Sequence, residues 1–170
     1  MSGSEMPEDH WRSQADSMLK RKGPWTLALL LTVTVMTAII CFSSQSAAES
    51  DGLSKGFAQW LLNLVPSLSD VVTLRKLNHF LRKFAHFSLY FLLGCGLTGL
   101  ANRQRRMPPV LLAILGGAAF AVTDEFHQFF SDGRGPMLQD VLLDTCGVIV
   151  GALFIVLLKK VFKKDCPSDQ

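Results

Sequence analysis

With 170 residues, 49% of them hydrophobic, and a mean hydropathy of +0.29, the chain fits one domain whose apolar content is better explained by membrane spans than by a water-soluble core. Its net charge of +3 sits in short basic flanks beside apolar runs, which argues against nucleic-acid binding because no basic stripe lines a soluble fold. Cys41, Cys95 and Cys146 fall in apolar segments and Cys166 in the tail, with no CxxC pair, which argues against a disulfide framework or a zinc knot.

Residues 1–23 are expected to be a polar tail, mobile to about residue 19, with Gly23-Pro24 as the hinge to the first span. That span is placed at Pro24 to Phe42. A signal peptide is the alternative, since Lys20-Arg21-Lys22 precedes the run and the small residues Ser43 to Ala48 follow it. The apolar core is longer than a usual h-region, and Ile40 before Cys41 is a poor lipobox residue, so an uncleaved helix is preferred.

The next segment is too long for a tight turn and is expected to have structure of its own, as an external amphipathic stretch at about 50–82. Leu53, Phe57, Trp60, Leu61 and Leu64 line one side of a helix that Pro66 ends. Such a helix either lies on the outer membrane face with Trp60 at headgroup depth or packs across the tops of its neighbours. A second run, with Asp70 as candidate N-cap and Val71, Leu74, Leu77 and Leu81 apolar, leads toward the second span.

Spans two to four are expected at Phe84 to Ala101, Pro108 to Phe130 and Leu138 to Leu158. Together they predict an all-α polytopic membrane protein: four transmembrane helices over residues 24–158 and a basic tail at 159–170. Arg12, Lys20, Arg21, Lys22, Arg103, Arg105, Arg106, Lys159, Lys160, Lys163 and Lys164 all fall on one side of such a bundle. Lys55, Arg75, Lys76, Arg82, Lys83 and Arg134 fall on the other. The larger group favours the cytoplasm, so both termini are expected inside the cell membrane.

Ionisable side chains beside hydrocarbon are expensive, and they persist where they meet one another around a site. Here they occupy one end of three spans: Lys83, His86 and Tyr90; Asp124, Glu125, His127 and Gln128; Asp140 and Asp144. At about 1.5 Å per residue, His86, Asp124 and Asp144 each stand roughly 22 to 24 Å above the cytoplasmic boundary of their span. In a hydrocarbon layer about 30 Å thick they share a level just under the outer interface.

Azimuth agrees with height. Lys83, His86 and Tyr90 share one helix face, as do Asp140 and Asp144, while Glu125 turns about 100° away from Asp124. Gly147 and Gly151 continue the Asp140–Asp144 stripe at a spacing that permits close helix approach. The sequence thus predicts one outward-facing polar pocket.

The order Lys-x-x-His-x-x-x-Tyr, Asp-Glu-x-His-Gln, Gly-Arg and Asp-x-x-x-Asp-x-x-Gly resembles the VanZ-like family of small bacterial membrane proteins, from Phe42-Ser43-Ser44-Gln45-Ser46 to Gly151. The resemblance carries over Ser44, Gln45, Lys83, His86, Tyr90, Asp124, Glu125, His127, Gln128, Arg134, Asp140 and Asp144. Members often have Pro before the Gly-Arg pair and Asn at the last of these positions, where this chain has Asp132 and Asp144. The family is linked by name to glycopeptide (teicoplanin) resistance, and relatives are proposed to act on lipid head groups or lipid-linked wall precursors. No established reaction comes with the resemblance.

Three chemistries fit these residues. In an enzyme, a lipid head-group phosphoester hydrolase or transferase, Lys83 and Arg134 would hold phosphate oxygens, with Tyr90, Glu125, Gln128, Asp140, Ser44 and Gln45 completing substrate binding. His127 or His86 would be base or nucleophile, oriented by Asp124 or Asp144, and His127 is preferred because Asp124 and Gln128 flank it. In a non-catalytic protein the pocket would bind or exclude an amphiphile. In a purely structural one the charges would pin the helices together. Transport fits less well, because no charged path continues through Gly94 to Ala101 or Leu111 to Ala121. Partners are expected to be membrane lipids or lipid-linked precursors. Two His and several carboxylates could also satisfy Zn²⁺ or a harder cation, but no metal is assigned, since Asp124-x-x-His127 is a weak signature and Lys83 and Arg134 would repel a cation, and any other cofactor is left unknown.

Overall fold

Apolar runs of span length, with breakers confined to their ends, dictate helices, and the computed structural model is built of them. It describes residues 8–103, 106–130 and 137–164. Helix α1 runs from Glu8 to Ser43, α2 from Ala47 to Leu64, α3 from Leu74 to Ala101, α4 from Pro109 to Phe129 and α5 from Leu138 to Lys164. Four of them are long and apolar enough to cross a membrane: Trp25–Ser43, Leu74–Ala101, Pro109–Gln128 and Leu138–Phe162. The fold is the expected all-α, four-span architecture with an additional amphipathic helix.

Two expectations about the start of the chain are corrected. Helix α1 is unbroken over 36 residues, so no hinge opens at Gly23-Pro24 and residues 8–19 are helical rather than loose. Glu8, Arg12, Gln14, Ala15, Met18 and Leu19 in that stretch are good helix formers. A helix already nucleated by the span extends into them at little cost, and the N–H missing at Pro24 removes a single bond.

The small-residue run after the first span is a turn followed by a cap. Ser46 accepts from the Glu49 backbone N–H at 3.3 Å, and the Glu49 carboxylate accepts from the Ser46 backbone N–H at 2.9 Å, closing a capping box at the start of α2. Helix α2 packs on the first turns of α3 through Ala58, Leu62 and Leu77. Asn78 adds a hydrogen bond to Asp51 at 2.5 Å.

The stripe Leu53, Phe57, Trp60 and Leu64 is left uncovered by protein. Asp70 does not cap α3. A 3-10 turn at Pro66–Leu68 and backbone bonds from Val71 and Val72 to the Leu68 carbonyl hold that stretch in a turn, so the helix starts later, with Thr73 in the N-cap position.

At 28 residues, α3 is about 42 Å long, more than the hydrocarbon thickness, so its α2-bearing end stands beyond the apolar layer. It is also the helix around which the others assemble, packing on α5, α1, α4 and α2. The core between them is Val35, Ile39, Tyr90, Leu93, Ala121 and Val148.

The seam between α3 and α5 depends on glycine. A Cβ on Gly151 would strike the Phe91 carbonyl oxygen, one on Gly94 the Val148 carbonyl oxygen, and one on Gly147 would lie 2.7 Å from the Phe87 carbonyl oxygen. Backbone therefore meets backbone in both directions, as the Gly147 and Gly151 spacing predicted.

Candidate functional site

The polar faces of α3, α4 and α5 meet at the end of the bundle that carries α2. His86, Asp124 and Asp144, one from each helix, offer ligand-type atoms that all lie within 4.8 Å of one another. His86 Nδ1 and Asp144 Oδ2 are 3.9 Å apart. Asp124 and Asp144 are buried, at 4% and 3% exposure, and Tyr90 beneath them is fully enclosed. At the rim, Lys83 donates to Asp140 Oδ1 at 2.5 Å, a pair about one-third exposed on each side.

Each acid has a distinct environment. Asp124 Oδ2 accepts from Gln128 Nε2 at 3.1 Å, and the same nitrogen donates to Ser43 Oγ on α1, also at 3.1 Å. Glu125 Oε1 accepts from the Met137 backbone N–H at 2.6 Å, so this carboxylate ties α4 to the beginning of α5. Asp124 Oδ1, Asp144 Oδ1 and the Tyr90 hydroxyl are enclosed without a hydrogen-bond partner among the described residues.

His127 does not sit with Asp124. It is exposed, and its Nε2 lies 3.2 Å from Ser44 Oγ on α1, whereas the imidazole that joins both buried aspartates is His86. The reason is angular. A step of four residues turns a helix by about 40° and a step of three by about 60° the other way, so Gln128 and His127 diverge by about 100°. The structure turns the Asp124–Gln128 edge inward, leaving His127 at the flank.

Among the carried-over residues, Ser44 also donates to the Ile40 carbonyl at 2.7 Å, and Gln45 lines an apolar groove beside the cluster. Arg134 and Asp132 lie outside the described residues.

Two cavities adjoin here. One of about 490 Å³ is lined by polar and charged groups including Arg82, Lys83, His86, Gln128, Asp140 and Asp144. The other, about 510 Å³, runs between α2, α3 and the end of α1, and its walls include Phe42, Leu53, Phe57, Leu81, Phe84 and Leu89. Arg82 and His86 line both.

Sequence reasoning did not assign Arg82, Gln139, Ser43 or His79 to the site. His79 is exposed, and it lines the polar cavity with Arg82 and Gln139. Arg82 and His79 precede His86 by four and seven residues, so the face that revealed Lys83 also carried a signal for them.

A family model described as VanZ/LLP1 matches residues 28–159. The chain belongs to the VanZ/LLP1 family. That VanZ/LLP1 stretch contains all four apolar helices, from shortly after the first begins to shortly before the last ends, and with them every described side chain of the site. Family and helices together make this a multi-pass membrane protein. No curated protein and no solved structure matches the chain.

Proposed function

We propose that this VanZ/LLP1 protein engages an amphiphile with a phosphate-bearing head group, head in the polar cavity and chain in the apolar groove. The observation that carries the reading is the pair of adjoining cavities joined through Arg82 and His86. Phospholipids and lipid-linked wall precursors share this pattern of charged head on apolar chain. Arg82 at the junction supplies a guanidinium where the phosphate would lie, and guanidinium binds phosphate through paired hydrogen bonds.

Orientation follows from the distribution of basic residues: the cavity end faces outward and both termini lie in the cytoplasm. The uncovered stripe of α2 then rests against the outer interface, with Trp60 at headgroup depth. Acid–base work on the head group falls to His86 rather than His127, because His86 borders the cavity and Asp144 stands beside its ring.

The test is to purify the full chain in nanodiscs of native lipid and to compare retained lipids, and any change in their head groups, by mass spectrometry. One arm adds a phospholipid and a second a lipid-linked wall precursor. Enrichment of a phosphate-headed lipid over the bulk membrane, reduced about tenfold by Arg82→Ala, is the expected result. A lipid profile equal to the bulk in wild type and variant, in both arms, ends the reading. Head-group turnover lost in His86→Gln with binding retained would make the protein an enzyme.

A further inference from the structure

The deepest part of the cluster has a charge arrangement that lipid binding does not explain. Among the described residues, Lys83 is engaged by Asp140 at the rim. Below it Asp124 and Asp144 come from different helices, both nearly inaccessible, and each keeps an oxygen without a hydrogen-bond partner among the described residues. Bare carboxylate oxygens at this depth are costly unless a proton or a cation sits between them.

A cation explains more of the surroundings than a proton does. Among the outer contacts, Gln128 holds Asp124 by Oδ2 and leaves Oδ1 bare. Such outer contacts fix a ligand's orientation. The Tyr90 hydroxyl, fully enclosed, interacts with Asp124 and Asp144, its approach to Asp124 falling outside good hydrogen-bond geometry. It is placed to donate to a bound carboxylate or water.

We propose that His86, Asp124 and Asp144 form a site for one divalent ion of the Zn²⁺ or Mn²⁺ class, held between α3, α4 and α5. One imidazole with two carboxylates suits these ions, whereas Mg²⁺ prefers oxygen ligands and retains its waters. In a tetrahedral site with bonds of about 2.0–2.1 Å, ligand atoms stand about 3.4 Å apart. The 3.9 Å between His86 Nδ1 and Asp144 Oδ2 is near this value, and all three ligand atoms already lie within 4.8 Å of one another. Because His86 and Asp144 also line the polar cavity, a fourth position opens toward it.

The site does not depend on the lipid reading, so the two can fail separately. Purify the full chain in detergent, strip it with EDTA, desalt it and add Zn²⁺ or Mn²⁺ alone. Count bound metal by mass spectrometry, and take affinity from competition with an indicator dye. One ion per chain is expected, with affinity falling at least tenfold in His86→Gln and in Asp144→Asn and unchanged in His127→Gln.

Gln128→Leu, which removes the group that orients Asp124 together with its bond to Ser43, is expected to weaken binding about tenfold. His86 is 28% exposed, so its variant tests the site even where Asp144→Asn fails to fold. No binding of either ion at millimolar concentration, or equal binding in wild type, His86→Gln and Asp144→Asn, overturns the proposal. Lipid retention by the EDTA-stripped protein would not rescue it.

Discussion

The two ends of the α3–α5 contact are built on opposite physical terms. From Gly147 downward, glycine lets backbone press on backbone. Above it, at Asp144, His86 and Asp124, buried oxygens lie without partners among the described residues. The lower region already supplies the cohesion that a salt-bridge network would provide. The upper one is therefore better understood as a place where stability is given up for binding, a pattern common at functional sites.

The largest expected effect lies in the seam. Gly151→Leu should cost about 3 kcal/mol or more, since the Phe91 carbonyl cannot retreat without parting α3 from α5. Thermal unfolding in detergent measures this, and a melting temperature equal to wild type would show that the helices are not locked there.

Asp144→Asn is the counterpart. In EDTA-treated protein it should leave stability unchanged or raise it by up to about 1 kcal/mol, because it replaces a buried acid that lies beside another acid. A loss as large as that of Gly151→Leu would mean the acid is glue after all, and the contrast between the two regions would collapse.

Lys83→Met sharpens the boundary between them. Its ion pair with Asp140 is about one-third exposed, so the variant should lose no more than about 1 kcal/mol in a chemical denaturation series.

The smallest effect concerns the first turn of α2. Bonds from the backbone and hydroxyl of Ser46 hold the Glu49 carboxyl below its ordinary value of 4.5. A carboxyl lowered in the folded state stabilises at neutral pH, and that contribution fades as pH falls from about 4.5 through the lower folded value. Amide exchange at Ala48 to Ser50 should accelerate across that window in wild type and be nearly pH-independent in Glu49→Gln, after correction for intrinsic exchange.

Much of the fold and site is legible in the sequence. Spacing places Lys83, His86 and Tyr90 on one face and Asp140 with Asp144 on another, and the glycines at 147 and 151 announce close approach. Height along each span puts the three polar ends at one level. Periodicity fixes what shares a face but not which way the face turns, so His127 and His86 are indistinguishable until neighbouring helices set the rotation of α4.

Ser43 is obscured by lying one residue from Ser44, which points outward while Ser43 is buried. The apolar groove is hidden for another reason. It arises from α2 folding back on α3, a long-range contact through Ala58, Leu62 and Leu77 that no local pattern specifies.

The length of α3 has an evolutionary corollary. One rod bears Arg82 and His86 near its upper end and Gly94 lower down, so the residues proposed to meet a head group and those that hold the scaffold are separated by height on a single helix. Drift at the upper turns can exchange one cargo for another while the lower turns keep the architecture constant, which lets a small scaffold diversify without being rebuilt.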